Sequence, residues 1–179
     1  LPATSGSVGQ VLKISSLSPS VLEWVDHTPL KYAIQGCLLD YDHTGNFRQI
    51  NLSSIVDGST NAAHQISFHE YNTFNFRIGA EDQLTIPTSY AGWYTILFFI
   101  YHPSVNLSGT SSQGNLGNFR AGIRTNTGAV EYGPPDSLSS TPEGTTLTIS
   151  AYLEDADNVS FWTYGSSQTN EDFVVRISL

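Results

Sequence analysis

The amino-acid sequence predicts an all-β chain that folds as an antiparallel β-sandwich of the jelly-roll type. Helical periodicity is absent, because no window of about 11 residues keeps apolar side chains at helical spacing without Gly, Pro or a β-branched residue. Short strand-like segments recur with turn residues between them, which is typical of sandwiches. Residues 82–101 join a short strand to a long apolar strand through a turn that contains Pro87.

The predicted strands are rich in β-branched and aromatic residues and are bounded by Gly, Pro, Asn, Asp or Ser. Residues 126–128 and residues 43–46 tolerate positive φ angles, so each predicts a hairpin between the flanking strands. Residues 104–118, rich in Ser, Gly and Asn, predict a long exposed loop. The strands are expected at residues 31–40, 47–55, 64–71, 74–78, 83–86, 92–101, 119–125, 129–132, 145–154, 158–164 and 172–179.

Side-chain alternation predicts which strand faces are buried. In residues 146–153, Leu147, Ile149 and Ala151 point to one side, and the residues between them point to the other. The C-terminal strand alternates in the same way, so we expect it to be locked into the core. Residues 94–101 are apolar on both faces, which predicts cover by the core on one side and by another subunit on the other. The chain is therefore expected to form an oligomer.

Length and composition limit the classes of partner. A chain of 179 residues can hold one well-buried domain and an appendage. Charged residues make up 13%, against about 25% in typical globular proteins, so small and amide-bearing polar residues cover the surface. The net charge of −9 repels a phosphate backbone, so we expect no nucleic acid partner. No apolar run approaches about 18 residues, so we expect no membrane insertion.

Few residues could carry catalysis or bind a metal ion. Cys37 stands alone, which excludes an intrachain disulfide and a paired-thiolate metal site, and its apolar neighbours predict a small buried residue. Asp40, Asp42 and His43 are not followed by the terminal Glu of a calcium-binding loop, so they predict a polar hairpin tip.

The remaining acidic and imidazole groups also favour structural roles. His64 and His69 lie five residues apart, which on a strand places them on opposite faces. His69 and Glu70 could form half of an acid–base pair, but no nucleophile elbow accompanies them. The acidic residues at 154–157 predict a solvated turn, with cation binding as the alternative. We therefore expect no cofactor, no metal ion and no enzymatic activity.

Ligand binding would use aromatic surfaces and polar loops, because sugar rings stack on Trp or Tyr while amides and hydroxyls bind sugar hydroxyls. Trp162 and Tyr164 adjoin a loop rich in Ser and Gly, although Trp162 could equally lie in the core. The predicted ligand-binding residues are Trp162, Tyr164, Asn106, Asn115 and Asn118.

Two sequence patterns resemble known families. Residues 83–87 and 91–94, followed by the long apolar strand, are similar to the central strands of the C1q and tumour-necrosis-factor superfamily head. Gly92 and Tyr94 match the recurrent Gly-x-Tyr of that family, and Phe173 matches its late aromatic residue. The resemblance covers about two thirds of the chain. The usual Gly-Asp before the penultimate strand is only loosely represented.

The N-terminal residues carry the second resemblance. Residues 6–12, together with Trp24, resemble a Gly-Gln-Val-Leu…Trp segment that is frequent in phage tail-fibre and viral spike proteins, where it precedes a trimeric head. Together the two resemblances imply a short N-terminal β shaft over residues 1–60 and a C1q/TNF-like jelly-roll head over residues 61–179.

The implied function is host attachment by a non-enzymatic homotrimeric head of a virion spike or fibre. The head would lie on the extracellular virion surface and bind a host receptor, a glycan being one candidate, while the shaft contacts other virion proteins. The alternatives are a structural trimerisation or capping module, a secreted C1q-like carbohydrate- or protein-binding domain, and a glycan-processing enzyme. The trimer contacts are expected at Tyr94, Ile96, Phe98, Tyr101 and Phe173, unless these residues fill the core of a monomer.

Overall fold

The structure, a computed structural model, divides into two compact units, Leu1–Leu30 and Lys31–Leu179. Among the residues that the structure describes, the elements of both units are β-strands, with one short 3-10 helix in the second unit. The structure describes residues 10–17, 20–26, 32–42, 47–58, 66–72, 75–76, 82–103, 107–108, 117–126, 131–132, 136–138, 143–165 and 170–179.

The first unit contains a two-stranded antiparallel hairpin. Strand β1 spans Gln10–Leu17 and strand β2 spans Ser20–Asp26. Leu12 lies opposite Trp24 in the register, so the Leu and Trp of the fibre-like sequence segment are cross-strand partners. A register shift follows Ile14.

The boundary between the units corrects the predicted domain limits. It lies between Leu30 and Lys31, not at residue 60. The reason is that residues 32–58 supply strands of the second unit, including strand β3 (Tyr32–Asp42), which pairs with the C-terminal strand. The second unit therefore contains about thirty residues that the sequence analysis had placed in the N-terminal segment.

One sheet of the second unit has five antiparallel strands in the order β11-β7-β13-β3-β5. Its C-terminal strand lies between β3 and β7 and pairs with both. The outer pair, β11 and β7, runs in unbroken register from Glu143 opposite His102 to Leu153 opposite Gly92. The strands are β11 (Glu143–Leu153), β7 (Gly92–His102), β13 (Asn170–Ser178), β3 (Tyr32–Asp42) and β5 (His69–Asn72).

The other sheet has six strands built around β8 and β12. Strands β10, β8, β12 and β4 follow one another, while β9 pairs with β8 and β6 pairs with β12. Residues 162–164 of β12 pair with β4, and residues 158–160 pair with β6, so two short strands share one edge of β12. The strands are β4 (Phe47–Gln49), β6 (Gln83–Thr85), β8 (Gly117–Thr125), β9 (Glu131–Tyr132), β10 (Asp136–Leu138) and β12 (Asn158–Tyr164).

Aromatic side chains fill the space between the two sheets. Phe98 of β7 packs edge-on against Phe161 of β12, with ring centroids 5.5 Å apart. Phe173 of β13 stacks on Phe119 of β8 at 5.3 Å. All four side chains are fully buried, and burial of each stabilises the fold by about 1.5 to 3 kcal/mol. This packing confirms the predicted all-β antiparallel jelly-roll sandwich.

Several sequence predictions hold at the level of single strands. Strand β12 has the predicted limits, and β3, β6, β7, β8, β11 and β13 lie within two residues of theirs. Residues 147, 149 and 151 face inward and residues 146, 148, 150 and 152 are exposed, as the alternation predicted. Strand β9 pairs with β8, as the predicted hairpin requires. Asn126, which follows β8, has a positive φ of 52°.

Several local predictions are wrong. Residues 75–76, inside the strand predicted over residues 74–78, lie in no strand, and in the segment predicted as a strand over residues 64–71 the described strand is His69–Asn72. The strands on either side of residues 43–46 do not form a hairpin, because β3 pairs within the five-stranded sheet and β4 within the six-stranded sheet. The chain crosses between sheets there. The strand predicted over residues 47–55 ends at Gln49, where the chain enters a 3-10 helix, Leu52–Ser54, after Ile50 and Asn51. The side chain of Asn51 caps this helix by accepting a hydrogen bond from the Ser53 N–H.

A fully buried carboxylate, that of Asp172, joins the start of β13 to two neighbouring segments. Oδ1 of Asp172 accepts the Asp40 N–H at 2.9 Å, and Oδ2 accepts the N–H groups of Leu107 and Ser108 at 2.6 and 2.7 Å. Asp40 has a positive φ of 50°, and the β13 register shifts between Glu171 and Phe173. The carboxylate therefore satisfies backbone donors that irregular strands would otherwise leave unpaired.

An exposed carboxylate, that of Asp155 in the turn between β11 and β12, also accepts three backbone N–H groups. Asp155 accepts the N–H groups of Ser89, Tyr90 and Ala91 at 2.8 to 3.0 Å. These backbone hydrogen bonds, the Ser89 bond being the largest cause, lower the pKa of Asp155 below its usual 3.8. The two aspartates thus have matched hydrogen-bond geometry and opposite exposure.

Because Asp172 and Asp155 make similar hydrogen bonds and differ in exposure, substituting each of them shows how burial affects the stability lost with the carboxylate. We expect Asp172→Asn to lower the free energy of unfolding by about 2 to 4 kcal/mol, because the new amide NH2 must face a buried backbone N–H. Asp155→Asn should cost much less, because water can solvate the three N–H groups at that exposed turn. Urea unfolding of both variants, followed by circular dichroism, compares them. Equal losses of stability would contradict this account.

Candidate functional site

The outward side of the six-stranded sheet carries aromatic and polar side chains in neighbouring rows. Because β12 alternates, Val159, Phe161 and Thr163 point into the core, and the residues between them point outward. The register places each outward residue of β12 beside outward residues of the flanking strands. We call this surface the polar face; it consists of Phe47, Gln49, Gln83, Thr85, Arg120, Arg124, Asn158, Ser160, Trp162 and Tyr164.

A pocket of about 300 Å³ opens on the polar face. It lies where the end of β4 meets the start of β6 along β12, and the Gln49 side chain bridges that junction by donating from Nε2 to the Asp82 carbonyl oxygen at 2.7 Å. Ser160 is the central strand residue of the site, with Gln83 on one side and Arg124 on the other. The lining residues are Gln49, Asp82, Gln83, Arg124, Asn126, Asn158 and Ser160.

Hydrogen bonds hold the carboxamides of this pocket in place. Asn158 Oδ1 accepts from the Thr85 hydroxyl at 2.9 Å, and the Asn158 N–H donates to Asn126 Oδ1 at 2.9 Å. Asn126 also donates its backbone N–H to the Asn158 carbonyl oxygen. Polar side chains that are already oriented lose little rotamer freedom when a ligand binds, so the pocket is organised before binding.

Two arginines lie on the polar face along β8. Arg124 is opposite Ser160, inside the pocket, and Arg120 is opposite Tyr164, outside it. The Nε atoms of both arginines are buried, and among the described residues neither has a hydrogen-bond partner. Arg124 is therefore the arginine whose guanidinium group borders the cavity, and Arg120 is not.

The aromatic residues of the polar face lie next to the pocket. The Trp162 indole N–H donates to Ser160 Oγ at 2.9 Å, which fixes the indole edge at the pocket wall. The rings of Tyr164 and Phe47 pack together with centroids 4.9 Å apart, and Phe47 remains 55% exposed. The face thus combines aromatic surface with a polar cavity.

Only some of the predicted ligand-binding residues lie in the described part of the structure. Trp162 and Tyr164 both lie on the polar face and are half-buried, so neither is a core residue. Asn106 and Asn115 lie outside the described residues, and Asn118 is described only as a backbone position in β8. The pocket residues themselves were not anticipated, because they come from four separate chain segments that only the strand register brings together.

The outward side of the five-stranded sheet has a different chemistry. Strand register aligns Leu97 with Ser178 and Thr148, and Phe99 with Arg176 and Thr146. Trp93 is 76% exposed and packs edge-on against Tyr152. We call this surface the apolar face; its apolar members are Ala33, Tyr71, Trp93, Leu97, Phe99, Tyr101 and Tyr152.

The apolar face is ordered by ring packing and one glycine. The Phe99 and Tyr101 rings stack with an interplanar angle of 12°, and the Arg176 guanidinium lies 5.8 Å from the Phe99 ring centre. A Cβ atom at Gly144 would lie 3.1 Å from Phe99 and 3.2 Å from Tyr101, so a larger residue there would require both rings to move by a few tenths of an ångström. A groove of about 490 Å³ runs beside them between β5, β3, β13 and Leu97.

The structure revises the residues expected at the subunit contact. Tyr94, Ile96, Phe98 and Phe173 are core residues of the single chain, each at most 7% exposed, so their side chains have no surface to offer a partner. Strand β7 is indeed apolar on both sides, but its outward residues are Trp93, Leu97, Phe99 and Tyr101. Of the predicted set, Tyr101 alone faces outward. The sequence does not reveal whether the even-numbered or the odd-numbered residues of β7 face the other sheet.

The candidate acid–base groups do not assemble into one site. His69 and Glu70 are exposed neighbours on β5 and both line the groove of the apolar face. Asp42 forms an ion pair with Arg48 at 2.8 Å, while His43 and His64 lie outside the described residues. Among the residues that the structure describes, no group of three or more His, Cys, Asp or Glu side chains could hold a metal ion.

The structure contains one buried acid–base pair that sequence reasoning missed. His102 Nε2 lies 3.3 Å from Glu171 Oε2, and both side chains are at most 1% exposed. The His102 ring also packs against Phe173 at 5.7 Å. The two residues are 69 positions apart in the sequence, so no local pattern links them. The pair is closed to solvent and is placed to stabilise the fold where β7 meets β13.

Comparison with solved structures identifies similar folds. The PRD1 vertex protein P5 aligns with a TM-score of 0.54 and 12% identity, over 98% of this chain and 83% of that chain. The globular domain of zebrafish complement 1qA protein aligns with a TM-score of 0.46 and 11% identity, over 84% of this chain and 96% of that chain. At such identity the likeness to the vertex protein shows a shared fold alone. No family model and no curated protein sequence matches the chain.

The described part of the chain holds no helix long and apolar enough to cross a membrane.

The single thiol is buried rather than poised for reaction. Cys37 packs with Leu107 and Val174, and a Cβ atom at Gly58 would collide with its Sγ. Burial, followed by the nearby carboxylates of Asp172 and Asp57, raises the pKa of the Cys37 thiol to about 11. At neutral pH only about one thiol in ten thousand would be ionised, and the thiolate is the nucleophile.

We therefore expect Cys37 to resist iodoacetamide at neutral pH in the folded protein and to react fully in urea. Mass spectrometry after a timed exposure measures the modification, and the urea sample controls for reagent activity. Rapid and complete alkylation of the native chain would show that the thiol is accessible and ionised, contrary to the structure.

Proposed function

We propose that this chain is the non-enzymatic, trimeric head of a virion spike or fibre and attaches the particle to its host. The observation that carries the proposal is the apolar face, an exposed sheet surface with three large aromatic side chains, Trp93, Tyr71 and Tyr152, each at least half exposed. Monomers rarely expose such a surface, whereas subunit interfaces concentrate aromatic residues.

Further copies of the same chain are the occupants that this surface fits best. Within it, Arg176 is the cation, Glu70 and His69 lie at its edge on β5, and the remaining side chains are apolar or small and polar. An apolar surface with little charge suits self-association, because symmetry brings like groups together and like charges would repel. Three copies are proposed because the resemblance to C1q and tumour-necrosis-factor heads implies a threefold arrangement.

The virion location and the shaft role belong to the same proposal. The fold is shared with the PRD1 vertex protein P5, which supports placing this head on a virion surface. We propose that the N-terminal segment forms the shaft and contacts other virion proteins, with the compact unit Leu1–Leu30 as its structured part. The hairpin of β1 and β2 supplies the backbone pairing of this unit.

The chemistry of the described side chains supports a binding role rather than catalysis. The thiol of Cys37 is buried and protonated, and the His102–Glu171 pair is closed to solvent. The polar face combines aromatic and amide side chains around a pocket, which are the groups that bind ligands without transforming them. Attachment would gain strength from three identical weak sites on one rigid head, because the second and third contacts become intramolecular.

A structural capping module is the second candidate function. It is favoured by the same apolar face, since assembly alone would use that surface and require no ligand. The two functions differ in what the polar face does, so substitutions on the two faces separate them.

The oligomeric state of the chain tests the proposed assembly. We expect the purified chain to have a mass near three times 19.5 kDa by light scattering, and Leu97→Asp to reduce it to that of a single chain. The reason is that Leu97 is aligned with Ser178 and Thr148, so a carboxylate there would be buried in the interface without a cation opposite it. Phe47→Asp, on the polar face, is the matched control and should leave the trimer intact. A wild-type chain that stays monomeric would refute the trimeric head.

Adsorption to host cells tests the proposed attachment. We expect Trp162→Ala to abolish adsorption of the head to host cells while the mass of the trimer stays unchanged. The reason is that Trp162 supplies aromatic surface beside the pocket and takes no part in the apolar face. Val56→Ala, an exposed apolar residue outside the polar face, is the control and should adsorb normally. Normal adsorption of both variants would favour the capping module.

A further inference from the structure

We infer that the pocket of the polar face binds a neutral sugar residue, and that this pocket is the receptor site of the proposed head. The inference rests on the proposed function and adds to it a location and a ligand chemistry. The groups that carry it are Arg124, Asp82, Gln83 and the carboxamides of Gln49, Asn126 and Asn158.

The pocket offers both hydrogen-bond donors and acceptors, as a sugar hydroxyl requires. Gln49 uses its amide nitrogen on Asp82, and Asn126 and Asn158 use their side-chain oxygens within the protein. Within the described part of the chain, Gln49 therefore keeps its oxygen for a ligand, and the two asparagines keep their NH2 groups. Each hydroxyl of a pyranose both donates and accepts, so adjacent ring hydroxyls match this mixture.

The charges in the pocket cancel. Arg124 contributes one positive charge and Asp82 one negative charge, and the other lining residues are neutral. A phosphate or a polysulfate would meet only one cation in a chain of net charge −9, so its binding would be opposed. A neutral polyol loses no charge solvation on binding and can use the carboxylate as an acceptor and the guanidinium as a donor.

Arg124 is the charged hydrogen-bond donor of the pocket. It is half-buried and lines the cavity, with Ser160 opposite it on the neighbouring strand. Arg120 lies on the same strand and face but outside the pocket, so a ligand in this cavity would contact Arg124 and not Arg120.

The position of the pocket keeps it open in an assembled head. The polar face and the apolar face belong to opposite sheets of the sandwich, so copies that associate through the apolar face leave the polar face outward. The fixed indole of Trp162 at the pocket wall gives a longer glycan an aromatic surface beside the first sugar.

Saturation-transfer NMR with methyl glycosides of galactose, glucose and mannose, each at millimolar concentration, tests the inference on the full chain. We expect transfer to at least one of these probes, and a loss of affinity of about tenfold or more in Arg124→Gln, which removes the charged donor. Arg120→Gln is the matched control on the same strand and face, and it should bind like the wild type.

A second variant protects the test against misfolding. Gln83→Ala removes a lining side chain from an edge strand, and it should also weaken binding of the same probe while the urea midpoint stays near that of the wild type. If Arg124→Gln unfolds, the Gln83→Ala result decides: weakened binding supports the site and unchanged binding overturns it.

The outcomes separate this inference from the proposed function. A trimer that adsorbs to host cells but binds none of the three neutral glycosides would overturn the sugar pocket and leave the attachment head standing. Binding only to the methyl glycoside of N-acetylneuraminic acid would overturn the neutral ligand, and binding retained in Arg124→Gln would overturn the location. A monomeric chain that binds a neutral glycoside through Arg124 would support the pocket and refute the trimeric head.

Discussion

The insertion of the C-terminal strand between β3 and β7 is the constraint on which the head depends. Strand β13 pairs with β3 over its length and with β7 from Val174 to Ser178, so it joins the first and the middle strands of the unit into one sheet. Its inward residues, Phe173, Val175 and Ile177, are fully buried against the other sheet. Because β13 follows the other four strands of this sheet along the chain, the five-stranded sheet is complete only once β13 has paired with β3 and β7.

Two fully buried carboxyl groups, those of Glu171 and Asp172, lie near the start of β13. Glu171 faces His102 across to β7, and Asp172 accepts backbone N–H groups from the end of β3 and from residues 107–108. Both carboxyls are fully buried, where an unpaired polar group would be expensive. These bonds fix the irregular end of the sheet, which regular strand pairing leaves unsatisfied.

A sandwich with two chemically distinct outer sides can assemble and bind at the same time. Strand period two gives each sheet one inward side, and the outward sides are then free to differ. Here the five-stranded sheet turns Leu97, Phe99 and Tyr101 outward, and the six-stranded sheet turns Arg124, Ser160 and Trp162 outward. The proposed trimer and the proposed sugar pocket use opposite sheets, so neither function obstructs the other.

The sequence by itself determined the fold class, most strand limits and the inward alternation of β11 and β13, because these depend on local residue patterns and turn chemistry. It also singled out Trp162 and Tyr164, which share the polar face. Only the tertiary structure decided which side of β7 meets the core, that β3 belongs to the head, and which residues form the pocket. The physical reason is that these outcomes depend on pairing between distant strands: Ser160 meets Arg124 and Gln83, and β13 meets β3, through register that no local segment encodes.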